Sequence, residues 1–89
     1  MNKIKIFTQK DCPNCPPAKD LVHELEGQYP DLEVEKHRVD EADGLAEAQF
    51  YTVLATPTII ICDQDDHEIT SFRGQVPDKQ DLIKAIQPS

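Results

Sequence analysis

The chain has 89 residues, and its nine basic and seventeen acidic side chains give a formal charge of −8. At 38% hydrophobic and 29% charged it has the composition of a folded chain with one core, and its acidity argues against nucleic acid and anionic membranes as partners. No stretch approaches the ~18 apolar residues of a membrane span, and Met1–Phe7 has no apolar core of a signal peptide.

The expectation is therefore a single cytoplasmic domain over residues 1–89, working as a monomer. Net charge speaks first to solubility, and an acidic surface also selects basic partners.

Lys3-Ile4-Lys5-Ile6-Phe7 alternates charged and apolar residues and reads as a short strand. Thr8–Asp11 is a polar turn. Ala18, Leu21, Val22 and Leu25 then share one helical face, with Pro13, Pro16 and Pro17 at its start, where proline is tolerated. Gly27 is the C-cap candidate, so the helix spans roughly residues 14–26. Leu32–Val39 reads as a polar strand suited to a sheet edge. Asp40–Gly44 is an entry turn with Asp40 as helix cap, leading to a short helix around Leu45–Phe50 whose Phe50 and Tyr51 point to the core.

Thr58-Ile59-Ile60-Ile61-Cys62 is the strongest strand, apolar on both faces and so central, with helices on each side. Asp63–Asp66 is a tight acidic turn, and His67–Phe72 is a strand that forms a hairpin with the one before. Gly74 ends it, as a turn glycine or a point of close approach. Asp78 caps a last helix with Leu82, Ile83 and Ile86 on its apolar face. The order βαβαββα is that of an α/β fold with a parallel opening unit and an antiparallel closing hairpin.

The chemistry-bearing motif is Cys12-Pro13-Asn14-Cys15. Residues three apart at a helix start face each other, so the two sulfurs can close a disulfide with little backbone movement. Cys12 sits where backbone N–H groups and the positive end of the helix dipole favour a thiolate, and Lys10 and Lys19 add positive charge nearby. Two other readings stand at this level: a pair of inert core thiols, or a metal shared between two chains. Cys62, His23, His37 and His67 lack the spacing of a zinc site within one chain. Cys62 is read as a buried core thiol.

The strand, the C-x-x-C, the helix and Thr56-Pro57-Thr58 before an apolar strand together resemble the thioredoxin-like superfamily. The resemblance covers the whole chain, and its length is similar to that of glutaredoxins. It implies a thioredoxin-like fold, with a four-stranded mixed sheet flanked by three helices. It implies a thiol–disulfide oxidoreductase in which Cys12 attacks and Cys15 resolves. Pro57 matches the family's cis proline, and Thr56 the residue whose backbone pairs with a bound peptide or glutathione.

Pro13, Asn14 and Gly74 belong to the same implied substrate-binding surface. The resemblance implies disulfide-containing proteins as substrates, with no bound cofactor and no metal. Electrons come from a thioredoxin reductase and NADPH, or alternatively from glutathione; a metal or iron–sulfur carrier is the remaining alternative. The sequence departs from the family at Asp11, where most thioredoxins have an aromatic residue, and at Ile6, where they have a buried acid. The Gly-Gly with which many glutaredoxins hold glutathione is also missing; Arg73-Gly74-Gln75-Val76-Pro77 stands there.

Overall fold

The computed structural model describes residues 1–88. In chain order it contains β1 (Lys3–Thr8), α1 (Cys15–Gln28), β2 (Val34–Arg38), α2 (Ala42–Phe50), β3 (Thr58–Cys62), β4 (Glu68–Arg73) and α3 (Lys79–Ile86). The four strands form one sheet in the order β2-β1-β3-β4. β1 is parallel to β2 and antiparallel to β3, and β3 is antiparallel to β4. This is the expected mixed four-stranded sheet with three helices.

Period-two alternation divides the core between the two faces of the sheet. Ile4, Ile6, Ile59 and Ile61 pack against Ala18, Val22 and Leu25 of α1 and Leu82 and Ile86 of α3. On the opposite face Phe7, Ile60 and Cys62 pack against Ala48 and Tyr51. β3 is buried along its whole length, as a central strand apolar on both faces must be.

β1 is more deeply placed than its alternation suggests, for all six residues are buried, lysines included. Parallel pairing sets Lys5 beside Glu35. The Lys5 Nζ lies 2.9 Å from the Glu35 carboxylate and 3.5 Å from that of Asp66, while Lys3 pairs with Asp66 and, at 3.5 Å, with Glu33. Buried ammonium groups require such partners. Burial works to lower the Lys5 pKa, but the Glu35 hydrogen bond and charge win and raise it. The Asp66 hydrogen bond raises that of Lys3.

Several boundaries differ from expectation. Gly27 does not end α1; the helix runs through it to Gln28, and the capping residue is Tyr29, whose N–H bonds the Leu25 carbonyl at 2.9 Å. Gly27 has no positive φ and nothing within 4 Å of an added Cβ, so it simply continues the exposed face. Asp40 does not cap α2. Its carboxylate is held by the Arg38 guanidinium, and Glu41 occupies the cap position instead, without a side-chain bond.

Gly44 lies inside α2, not in the entry turn. A Cβ there would come within 1.9 Å of the Arg38 carbonyl oxygen, so α2 crosses β2 backbone to backbone. Phe50 is 76% exposed and stacks edge-on against Tyr51, which alone enters the core. β2 is shorter than Leu32–Val39 because Leu32 is drawn into a turn with Tyr29. β4 starts one residue late because both backbone groups of His67 are engaged by Asp63. Asp78 stands at the cap position of α3 but makes no side-chain cap bond.

Candidate active site

The register brings four loops to one end of the sheet. Thr8 ends β1 opposite Arg38, the end of β2; Phe7 pairs with Thr58, the start of β3; and Thr58 pairs with Arg73, the end of β4. The loops at this end therefore hold Gln9–Asn14, Val39–Glu41, Val53–Pro57 and Gly74–Pro77. Every sequence-predicted site residue sits in them or at the first position of α1.

Cys12 and Cys15 form a disulfide with Cα atoms 5.3 Å apart. Their surroundings differ. Cys12 is half-buried in the loop, whereas Cys15 opens α1 and is only 3% exposed. Pro13 and Asn14 between them are exposed, and Asn14 holds the helix cap position without a side-chain bond. Asp11, just ahead, has a φ of 63°, a left-handed conformation that aspartate tolerates better than most residues.

The expected supply of backbone donors at this helix start is thinner than in an ordinary helix. Pro16 and Pro17 have no N–H, and the Cys15 N–H already bonds the Cys12 carbonyl at 3.3 Å. Positive charge around the sulfurs comes instead from the helix dipole, with no acidic residue in the first turn to offset it, and from side chains. The cleft of about 620 Å³ that contains both cysteines is lined by Lys10, Lys19 and Arg38, and Asp11 is its single carboxylate.

Lys10 and Lys19 are legible as charges near the motif. Arg38 is not, because its proximity depends on the parallel pairing of β2 with β1; a βαβ reading followed to its strand ends would have found it. Its partner Asp40 is held below the usual carboxylate range chiefly by the Arg38 hydrogen bond, with a further contribution from the Lys10 backbone N–H.

Thr56-Pro57 is a cis peptide bond. Pro57 is buried, and among the described residues neither backbone group of Thr56 bonds another backbone group. The neighbouring turn is knit by Thr58 Oγ1, which donates to the Ala55 carbonyl at 2.7 Å and accepts the Gly74 N–H at 3.3 Å. Gly74 has a φ of 68°, and an added Cβ would stand 3.3 Å from that of Ala55, so both a turn and a close approach require glycine. Leu54 in this loop is 90% exposed and Val76 in the next is 38% exposed. The sequence marks neither as part of the site, since exposure of an apolar side chain is a property of the folded loop.

Comparison with known proteins fits this geometry. The thioredoxin domain family matches residues 2–87. The chain belongs to that family. It is 38% identical over 85 residues to a thioredoxin of Methanocaldococcus jannaschii, covering 96% of this chain and 92% of that protein. It is 33% identical over 85 residues to a probable thioredoxin of Methanothermobacter marburgensis, covering 94% and 91%.

Among solved structures, the thioredoxin of Fasciola hepatica superposes with a TM-score of 0.79 at 26% identity, over 96% of this chain and 77% of that one. Thioredoxin 1 of Thermosipho africanus shares the fold with a TM-score of 0.78 at 23% identity, over 94% and 89%. The thioredoxin relationship, with a C-x-x-C closed as a disulfide, makes the chain a thiol–disulfide oxidoreductase and favours thioredoxin over glutaredoxin chemistry.

One family departure, Ile6, and the lone third cysteine, Cys62, both sit in the core. Ile6, where thioredoxins have a buried acid, is 2% exposed and packs in the core. Cys62 is fully buried; burial pushes its thiol pKa up, and its sulfur lies 4.0 Å from the Tyr51 hydroxyl. Among the described residues, the two triads with metal-ligand chemistry include neither Cys12 nor Cys15. In Glu35, His37 and Glu47 the Lys5 ammonium already serves as the cation, 2.9 Å from Glu35 and 4.0 Å from Glu47. In Asp63, Asp65 and His67 a carboxylate oxygen of Asp63 is taken by two backbone N–H groups at 2.9 and 3.0 Å.

Proposed function

We propose that this thioredoxin-family chain is a dithiol electron carrier that reduces disulfides of other proteins, with Cys12 as nucleophile and Cys15 as resolving thiol. The observation that carries the assignment is the unequal burial of the pair: a partner sulfur can reach Cys12, and only Cys12 can reach Cys15. The Cys12 thiolate attacks one sulfur of the partner disulfide; that bond breaks, and the departing thiolate takes a proton. The Cys15 thiolate then attacks the Cys12 sulfur, releasing the second partner thiol and leaving the Cys12–Cys15 disulfide. With Ile6 in place of an acid, the Cys15 proton leaves through the cleft to solvent.

The unengaged backbone of Thr56 supports docking of an extended partner segment as an added strand. Pro13, Asn14 and Gly74 form the floor around it, and exposed Leu54 and Val76 give apolar contact. We assign the electrons to a flavin-dependent thioredoxin reductase drawing on NADPH. The chain acts as a single-domain monomer in the cytoplasm, its charge of −8 keeping copies apart.

The test follows insulin reduction with NADPH and either thioredoxin reductase or glutathione plus glutathione reductase. Turnover with the first system, lost in Cys12→Ser, is expected. Turnover with the glutathione system alone would overturn the donor assignment, and full activity of Cys12→Ser the mechanism.

A further inference from the structure

The basic side chains are not spread evenly over this acidic molecule. Lys3 and Lys5 are buried among carboxylates, Lys36 pairs with Glu26, Arg38 with Asp40, Arg73 with Glu68 and Lys79 with Glu24. Among the described residues three of the nine, Lys10, Lys19 and Lys84, have no carboxylate within 4.0 Å. Two of those three, Lys10 and Lys19, line the cleft that contains Cys12 and Cys15; Arg38 lines it too, its charge matched by Asp40.

The cleft continues into a groove between α1 and β2 through three shared residues: Thr8, Lys19 and Arg38. The groove adds Lys36 but also the carboxylates Asp20 and Glu41, so the larger excess of positive charge is at the cleft. The α1 dipole points its positive end to the same place, and no acid in the first turn cancels it. At ~0.1 M salt charges more than about 10 Å away are largely screened, so a docked segment responds to the cleft and not to the distant acidic surface.

We infer that this cleft selects disulfides flanked by carboxylate side chains: the partner class is a protein segment with Asp or Glu beside its cystine. The inference rests on the disulfide-reductase reading above. Lys10 and Lys19 meet the flanking carboxylates while Cys12 attacks the sulfur. The apolar patch at Leu54 and Val76 contributes contact without charge preference.

The experiment measures the rate at which the reduced protein is oxidised by three disulfides at ~0.1 M salt: a cystine peptide with Glu flanks, the same peptide with Lys flanks, and neutral hydroxyethyl disulfide. The Glu-flanked peptide is expected to react about tenfold faster than the Lys-flanked one, within the range of electrostatic steering. The ratio falls toward unity at ~1 M salt, where the screening length is about 3 Å, and inverts in the K10E/K19E double variant.

Rates normalised to hydroxyethyl disulfide separate this selection from any change in the intrinsic reactivity of Cys12. Equal rates, a preference for Lys flanks, or a ratio that survives charge reversal would overturn the inference while leaving the reductase reading intact. Failure to react with any of the three, the neutral one included, would overturn both.

Discussion

Three thiols on one small chain occupy three environments, and their reactivity follows from them. Cys12 is half-buried at the loop, Cys15 is sealed at the start of α1, and Cys62 is enclosed between Tyr51 and the sheet with its thiol pKa raised by burial. In the reduced native protein a water-soluble thiol reagent is expected to modify Cys12 rapidly and Cys62 only after denaturation; mass spectrometry of partial labelling reads the order. The Tyr51 hydroxyl donates to the Asp66 carbonyl at 2.8 Å, and burial pushes its pKa up to about 12.

A different residue stores strain. Thr52 has a φ of 56°, unusual for a β-branched side chain, and is held there by Arg73, which donates to the carbonyls of Tyr51 and Thr52 at 3.2 and 3.0 Å. Thr52→Asn, which tolerates that conformation, is expected to raise stability by about 1 kcal/mol in denaturant unfolding. At this scale the sequence shows the cysteine pair and the lone core thiol plainly. It does not show Thr52, because no local pattern demands a left-handed threonine, and the Arg73 contacts that help hold it reach over from β4.

Two glycines in helices make opposite predictions, and the contrast tests how the elements pack. Gly27 lies in α1 with open space around it, so Gly27→Ala should stabilise the protein by about 0.5–1 kcal/mol through helix propensity. Gly44 lies in α2 against the backbone of Arg38, so Gly44→Ala must push α2 away from β2 and should cost about 1–3 kcal/mol or more. Equal effects in thermal unfolding would mean that α2 does not cross β2 as closely as described.

Both positions read from sequence as stops or turns, and both are helical. A glycine signals a break only when its local conformation needs one. At Gly27 right-handed helix continues unhindered, and at Gly44 a neighbouring strand sets the requirement. The five residues of β3, by contrast, are legible to the residue, since an unbroken apolar run bounded by Pro57 and Asp63 leaves little freedom in its placement.

Across the whole molecule, acidity is organised. Carboxylates gather over Lys3 and Lys5 on one sheet face, while cations without carboxylate partners gather at the disulfide. The Lys5 hydrogen bond holds the Glu35 carboxyl below its ordinary 4.5, and the Lys3 hydrogen bond holds Asp66 below its ordinary 3.8. Groups with depressed folded values contribute stability above their ordinary pKa and lose it as pH falls through the folded one. Unfolding free energy should therefore hold from neutral pH down to about 5 and decline below about 4.

Lys5→Met removes the partner that depresses Glu35, so it should lower stability at neutral pH and flatten the acid decline; an unchanged acid slope would contradict the ion-pair account. The raised lysine values work in the opposite sense, and their contribution is lost only in strong alkali. The Lys-Ile alternation makes β1 legible as a strand, but not that its lysines are buried, because that depends on acids brought from β2, α2 and the β3–β4 turn.

In the proposed mechanism the solvent-reachable thiol, Cys12, starts every turnover and Cys15 ends it. Incubating reduced Cys15→Ser protein with a disulfide-bonded protein and identifying the adduct by peptide mass spectrometry tests it directly. The expected product is a stable mixed disulfide through Cys12 that does not resolve. Attachment through Cys62, or no accumulation of adduct while partner disulfides are still reduced, would contradict it.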